Sequence, residues 1–284
     1  MTAPATRVLA VCADDVGLVD GVAETVLDLA GAGRLSAASC VTTTPGWRQD
    51  AALLASDRRA PQLGLHFNLS EGAPLSAALA SHWPTLPSLG RLMILAHLGR
   101  LPVSAIAAEF RAQADAFADG IGALPTFVDG HQHVHALPGV RDAVLAEIAR
   151  WPTPPAVRNT GRLMGPGAAF KRAVIAASGG RALQRNLVAR AIAHNWALLG
   201  AYDFRDADYR RRMRAWLANA PREGGLVFCH PCSVVPRDDG AADPIAGARR
   251  REAAYLASDA FSADLAAAGV TLGAAWATRS SSAG

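Results

Sequence analysis

"RVLAVCADDVG" (residues 7–17) is a near-continuous apolar run that stops at two adjacent carboxylates. A strand covered by helices on both faces reads this way, because no alternate position faces water. The same rhythm continues outward from it. A helical stretch at about 20–32 leads to a strand at 35–43 ("LSAASCVTT"), a short helix at 51–55 and a strand at 62–69 ("QLGLHFNL"). "VSAIAAEFRAQADAFADGIG" (103–122) places Ile106, Phe110 and Phe117 broadly along one helical face. "PTFVDGHQHVH" (125–135) begins as a short strand. A helix at 139–151, with Pro138 suited to its first turn, precedes the short strand "AVRN" (156–159). Residues 168–219 read as mainly helical, 224–231 ("GGLVFCHP") as a strand, 246–269 as a helix and 270–275 as a last strand.

Alternation of strand and helix argues for an α/β protein with a parallel sheet, open or closed into a barrel. A chain of 284 residues fits one barrel domain spanning 1–284, and no repeat or linker divides it. Residues 72–103, rich in Pro, Gly and Leu, form no clear unit. The tail at 278–284 has little apolar content and is expected to fray.

Half of the residues (51%) are hydrophobic and 18% are charged, so a sizeable core is easy to build. The formal charge is +4, carried almost wholly by arginine, since Lys171 is the single lysine. Arg210, Arg211, Arg212 and Arg214 read as a solvated helix face rather than a phosphate-binding one, and no nucleic-acid partner is expected. No uncharged apolar run approaches ~18 residues and no secretory signal opens the chain, so a cytoplasmic protein without a membrane span is expected. Cys12 and Cys40 sit in apolar runs, where a buried thiol is the default; Cys229 and Cys232 have C-x-x-C spacing without a second such pair and read as incidental thiols.

The chemistry gathers at strand ends. Asp14 and Asp15 end the first strand, His66 the third, His131 the next, Arg158 the short one and His230 the run at 224–231. In parallel α/β proteins the C-terminal edge is where sites are built. Alone, the aspartates would read as helix caps and His66 as a buried, hydrogen-bonded histidine; five strand ends that each deliver an ionisable group argue for one site. Two imidazoles and a carboxylate form a common set for a catalytic divalent metal, and Asp15, His66 and His131 can supply it. Asp14 and His230 suit a general base and a general acid. Adjacent residues of a strand point to opposite sides, so the two aspartates need a turn to share a cavity, and "DDVG" supplies one. In "DGHQHVH" (129–135) an extended backbone would aim His131, His133 and His135 the same way. One ion does not readily take three ligands so close in sequence plus two others, so His133, His135 and Asp129 are read as supporting the ligands or touching substrate. Arg158 either forms a structural ion pair or orients Asp14.

"ADDVG" (13–17), "GLHFNLSEGAPL" (64–75), "DGHQHVH" (129–135), "VR" (157–158) and "HP" (230–231) resemble, in order, the motifs of the YdjC-like carbohydrate deacetylases, a family that includes chitooligosaccharide and hopanoid-associated deacetylases. "RREAAYL" (250–256) also resembles the family's C-terminal R-x-E-x-x-x-L pattern. The resemblance runs from Arg7 to about Gly273. It implies a distorted (β/α) barrel with its site at the C-terminal strand ends. It further implies hydrolysis of an N-acetyl group from an amino sugar, in an oligosaccharide or a glycolipid. In the roles it implies, Asp15, His66 and His131 bind one divalent metal, Zn2+ or Mg2+, Asp14 is the base and His230 the acid. Val16 departs from the family's usual aromatic, and Cys232 from the small residue usual after "HP". Residues 72–103 and 160–222 match no motif, and substrate contacts are expected there. The apolar stretch at 86–103 suits a cover for a lipid-like substrate, a piece of core or a homodimer contact. Two other readings stand beside this one. An amidohydrolase or PHP-like metal hydrolase also uses H-x-H, but typically after its first strand. A non-catalytic metal- or sugar-binding protein would not need an acid–base pair.

Overall fold

The computed structural model describes residues 7–166, 169–234, 243–274 and 276. The tail at 278–284 lies outside the described residues. The elements, in order, are β1 (Arg7–Val16), α1 (Val22–Gly31), β2 (Ala37–Cys40), α2 (Trp47–Ser56), β3 (Gln62–Phe67), α3 (Ala77–Ala80), α4 (Leu89–His97), α5 (Val103–Ile121), β4 (Phe127–Gly130), α6 (Val140–Ile148), β5 (Ala156–Val157), α7 (Ala169–Ile175), α8 (Arg181–Ala189), β6 (Leu198–Leu199), α9 (Tyr209–Ala218), β7 (Gly225–Cys229), α10 (Ala246–Ala257), α11 (Asp259–Ala267) and β8 (Val270–Leu272). A 3-10 segment covers His131–Ala136 and a π-helical turn covers Ala176–Gly180.

All strand pairs are parallel, in the order β5-β4-β3-β2-β1-β7-β6, and β8 pairs with the start of β1. This is the α/β, distorted (β/α) barrel expected. β1 lies at its centre and shows why its sequence is apolar throughout. Ala10 and Cys12 face an inner cluster with Ala37, Phe127, Ala156, Leu198, Leu226 and Phe228. Leu9, Val11 and Ala13 face the helical layer, packing with residues such as Val26, Leu54, Phe110 and Phe117. The inner side chains are mostly small, and Phe127, stacked on Trp276 at 4.7 Å between ring centres, fills the floor. Gly64 of β3 makes room for it, because a Cβ there would collide with the Phe127 ring.

Between β5 and β6 the ring is not closed by a strand ladder. Val157 N–H donates to the Ala193 carbonyl (2.9 Å). The Asn195 side chain accepts from Asn159 N–H (2.7 Å) and donates to the Asn159 carbonyl (3.1 Å). Leu163 adds an isolated bridge to Leu198. The Asn159 side chain in turn donates to the Asn195 carbonyl (3.3 Å), so two buried side-chain amides satisfy backbone groups that a longer strand would have paired.

Several elements differ from the sequence reading. Residues 72–103 hold two helices, α3 and α4, rather than an unstructured insertion. Ser76 caps α3 by accepting from Leu79 N–H, and buried Glu109 of α5 accepts the N–H groups of Leu75 and Ser76 (2.9 and 2.7 Å). On α4, Leu92 and Ala96 are buried while Ile94 is exposed, as is Leu98 just after it. The helix expected over 246–269 breaks at Ser258, whose extended backbone and hydroxyl bond to the Tyr255 carbonyl end α10. The mainly helical stretch 168–219 also contains β6, a two-residue strand that apolar periodicity cannot separate from helix. Arg210 and Arg214 share Asp264, and Arg211 and Arg212 share Asp206, so the charge of this basic run is partly compensated within the chain. All four cysteines are buried free thiols. Among the described residues no helix is long and apolar enough to cross a membrane.

Candidate metal and catalytic site

Asp14 continues the inner-facing series Ala10, Cys12 of β1. Asp15 would point outward, but its φ of 70° and a register break between Ala13 and Val16 turn the chain, so both carboxylates line the same cavity. The turn expected after the strand therefore lies inside it. A left-handed backbone at a non-glycine residue is uncommon and persists where the surroundings enforce it.

Three of the predicted residues converge on one point. Asp15 Oδ1 lies 3.0 Å from His131 Nδ1 and 3.5 Å from His66 Nε2. One donor atom from each of the three lies within 4.8 Å of the others, and all three side chains are buried. Two ligands of one cation with bonds of ~2.0–2.2 Å stand about this far apart, so the residues present fit a divalent metal. Each member is held from behind. His66 faces Asp129 across the β3–β4 ladder and donates Nδ1–H to its Oδ1 (2.6 Å), which also accepts from Ser39 Oγ (2.5 Å). Arg249 Nη2 donates to Asp15 Oδ2 (2.8 Å), and its Nε to Asp243 (2.7 Å). Glu71 Oε1 lies 3.0 Å from His131 Nε2.

The charges explain the protonation. Burial opposes a charge on His66, but the carboxylates of Asp129 and Asp14 outweigh it and raise the imidazole to about 10. Burial likewise opposes charge on His131, and hydrogen bonds to Asp15 and Glu71 raise it to about 9. Asp15 is held well below the usual carboxylate range, because bonds to His131 and His66 overcome its burial. A cation, which takes neutral imidazole, would replace these protons.

Arg158, fully buried, donates Nη1–H and Nη2–H to the two oxygens of Asp14 (2.6 Å each). Its Nη2 also meets Asp129 Oδ2 at 2.5 Å and Cys12 Sγ at 3.2 Å. The two readings of Arg158 are therefore one: the ion pair is what orients Asp14. The cluster Cys12–Asp14–Asp129 has metal-like spacing, but its centre is filled by this guanidinium.

The stretch 131–136 is not extended. Gln132 (φ 53°) and His133 (φ 63°) adopt left-handed conformations within the 3-10 segment, so the three histidines separate. His131 faces Asp15. His133 lines the cavity with its ring edge-on to Phe228, 5.4 Å between centres. His135 is turned into the core, donates Nε2–H to the Arg158 carbonyl (2.9 Å) and is lowered by burial to about 4. His135 thus backs Arg158, in keeping with a supporting role, and is not among the residues that line the cavity. A glycine keeps the segment in place: Gly179 of the π-helical turn, at φ 150°, presses on the Ala136 carbonyl where a Cβ would collide.

The cavity encloses about 690 Å3. Its polar end holds Asp14, Asp15, His66, His131 and His230; its apolar wall includes Leu18, Val174, Ile175, Phe204, Phe228 and Ile245. The His230 ring packs edge-on to Phe204 (5.1 Å) and Phe228 (5.7 Å). Its backbone N–H donates to Glu252 Oε2 (2.5 Å), and Tyr202 Oη–H donates to the other oxygen of Glu252. Sequence reasoning assigns no role to Glu71, Asp243 or Arg249, and Glu252 enters only as the acidic residue of the R-x-E-x-x-x-L pattern. Glu71 lies within the quoted "GLHFNLSEGAPL". Arg249 and Glu252 sit three residues apart on α10, on one helical face, a spacing visible in "RRREAAYL". Nothing in the sequence marks Asp243.

Glu252 gives a pH signature. Burial raises its carboxyl from 4.5 to about 7. A folded-state pKa above the unfolded one favours the folded protein fully below the lower value, and that contribution is lost as pH rises through the upper one. Wild-type stability should therefore fall between about 4.5 and about 7 more steeply than that of Glu252→Gln. Denaturation midpoints measured across that window test this, and parallel curves for the two proteins would refute it.

The model of the family described as YdjC-like protein matches residues 8–267. A carbohydrate deacetylase of Danio rerio is 38% identical over 148 residues, 49% of this chain and 45% of that protein. A carbohydrate deacetylase of Homo sapiens is 32% identical over 188 residues, 61% of this chain and 57% of that one. A chitooligosaccharide deacetylase of Enterobacter sp. (strain 638) is 33% identical over 150 residues, 51% and 56% of the two chains. The chain thus spans about half the length of the curated relatives it matches. A crystal structure of an Enterococcus faecalis V583 protein, named for cellobiose-phosphate cleavage, superposes with a TM-score of 0.74 at 16% identity over 94% of this chain and 97% of that one, and shares the fold. With 8–267 matched in order, the chain belongs to the YdjC-like family.

Proposed function

We propose that this chain is a metal-dependent hydrolase that removes an N-acetyl group from an amino sugar and releases acetate. The observation that carries this reading is the meeting of Asp15, His66 and His131 in one cavity that also holds Asp14 and His230. The deacetylase names of the relatives agree with it. Asp15, His66 and His131 hold one divalent cation, and two nitrogen donors suit Zn2+ better than Mg2+. Such a cation, when bound, polarises the acetamide carbonyl and acidifies water.

The remaining steps belong to the chain's own side chains. Asp14 is fixed through both oxygens by Arg158, with the Cys12 thiol also donating to Oδ1 (3.7 Å), and accepts the proton of the attacking water through Oδ2. Water adds to the carbonyl carbon, the C–N bond breaks, and acetate and a free amine separate. His230 donates a proton to the departing nitrogen. Its backbone is pinned by Glu252 and its ring is bracketed by Phe204 and Phe228, which keep it aimed across the cavity.

Acetate release from a panel of N-acetylated oligosaccharides and glycolipids tests the reading. Release of phosphate or a ring-opened product would favour another metal hydrolase, and binding without turnover a non-catalytic role. His230→Ala should retain metal and lower turnover by about 10²–10⁴-fold, the worth of a positioned acid. Equal loss of metal would make His230 a ligand instead.

A further inference from the structure

Glu71 lies beyond the end of β3, in a loop whose backbone is held at several points. Asn68 Oδ1 accepts the N–H groups of Ser70 (3.0 Å) and Glu71 (3.1 Å), and Asn68 Nδ2 donates to the Glu71 carbonyl (2.7 Å). Asn68 is in turn tied to Gln113 of α5, which accepts its N–H (2.9 Å) and donates to its carbonyl (2.7 Å). The Glu71 backbone is therefore fixed beside His131, and two side-chain contacts orient its carboxylate. Its Oε1 accepts from Gln132 Nε2 (3.1 Å) and lies 3.0 Å from His131 Nε2.

The two ligand histidines are mirror images in their bonding. His66 turns Nδ1 to Asp129 and Nε2 to Asp15. His131 turns Nε2 to Glu71 and Nδ1 to Asp15. A carboxylate on one ring nitrogen fixes the proton there and leaves the lone pair on the other. We propose that Glu71 is a positioning residue that holds the His131 proton on Nε2, so that His131 offers Nδ1 to the metal while His66 offers Nε2. The inference rests on the metal reading above. Glu71 itself is no ligand in this arrangement, because the imidazole ring stands between its carboxylate and Asp15 Oδ1.

The test uses the whole protein and Zn2+ alone, with affinity read by competition against a chelating dye. Glu71→Ala should weaken Zn2+ binding by about 10–100-fold, the usual effect of removing a carboxylate behind a histidine ligand. Glu71→Gln should recover most of the loss, since its amide oxygen still accepts Nε2–H. Long-range proton–nitrogen NMR on histidine-labelled, Zn2+-loaded protein should find the proton on Nε2 of His131 and on Nδ1 of His66. Unchanged affinity in Glu71→Ala, or a proton on Nδ1 of His131, would overturn the proposal alone. A loss in Glu71→Gln as large as in Glu71→Ala would make Glu71 a ligand and also overturn it. A wild-type protein that takes up no Zn2+ would overturn the metal reading as well.

Discussion

His131→Ala should lose metal and turnover together. His131 contributes one of three donor atoms around a single point, and the two left, from Asp15 and His66, form too small a set to hold a catalytic cation. The affinity loss should exceed the ~10–100-fold expected for a residue behind a ligand. The fold should survive, because Asp15 keeps its 2.8 Å bond to Arg249 and its contact with His66. Metal content by elemental analysis and acetate release are the paired measurements. Full activity in this variant, or in chelator-treated wild type, would sink the assignment.

Arg158→Met should be the most destabilising single change at the site. Arg158 is fully buried between Asp14 and Asp129, also buried, and compensates both. Removing one partner of a buried ion pair leaves an uncompensated charge and costs about 3–5 kcal/mol, whatever the pair contributes against an apolar replacement. The pH dependence has a definite sign. Asp129 is held below the usual carboxylate range, chiefly by Arg158 and His66 against the effect of burial. A depressed folded-state pKa adds stability above the unfolded value, and that stability is lost as pH falls. The deficit of Arg158→Met should therefore be largest near neutrality and shrink in acid. Chemical denaturation at several pH values measures it, and a midpoint shift worth under about 0.5 kcal/mol at neutral pH would show the cluster to be dispensable.

The residues legible in the sequence are those whose positions follow from topology. Asp14, Asp15, His66, His131, Arg158 and His230 each end an apolar run, and parallel strands bring such ends to one edge. Asp129 behind His66 needs only the β3–β4 register. What escaped depends on packing between distant elements. Arg249 reaches Asp15 from α10, which packs on α1 and α9, and Glu71 reaches His131 from a loop that Asn68 ties to Gln113 of α5. Buried Glu109 and Gln113 on α5 read as polar interruptions of a helical face, yet they organise the loop above them. The separation of His131, His133 and His135 turned on two left-handed residues, neither of them glycine, in a segment whose composition suits a strand.

Position 15 is restricted twice over. Its left-handed backbone favours glycine, asparagine and aspartate over other residues, before any chemistry is considered. Of these, only aspartate brings a negative charge. The shape of the chain and the demand for an anionic donor thus select the same side chain independently. Asparagine at this position would keep the local conformation while removing the charge, so the two requirements can be separated by exchanging a single oxygen for nitrogen.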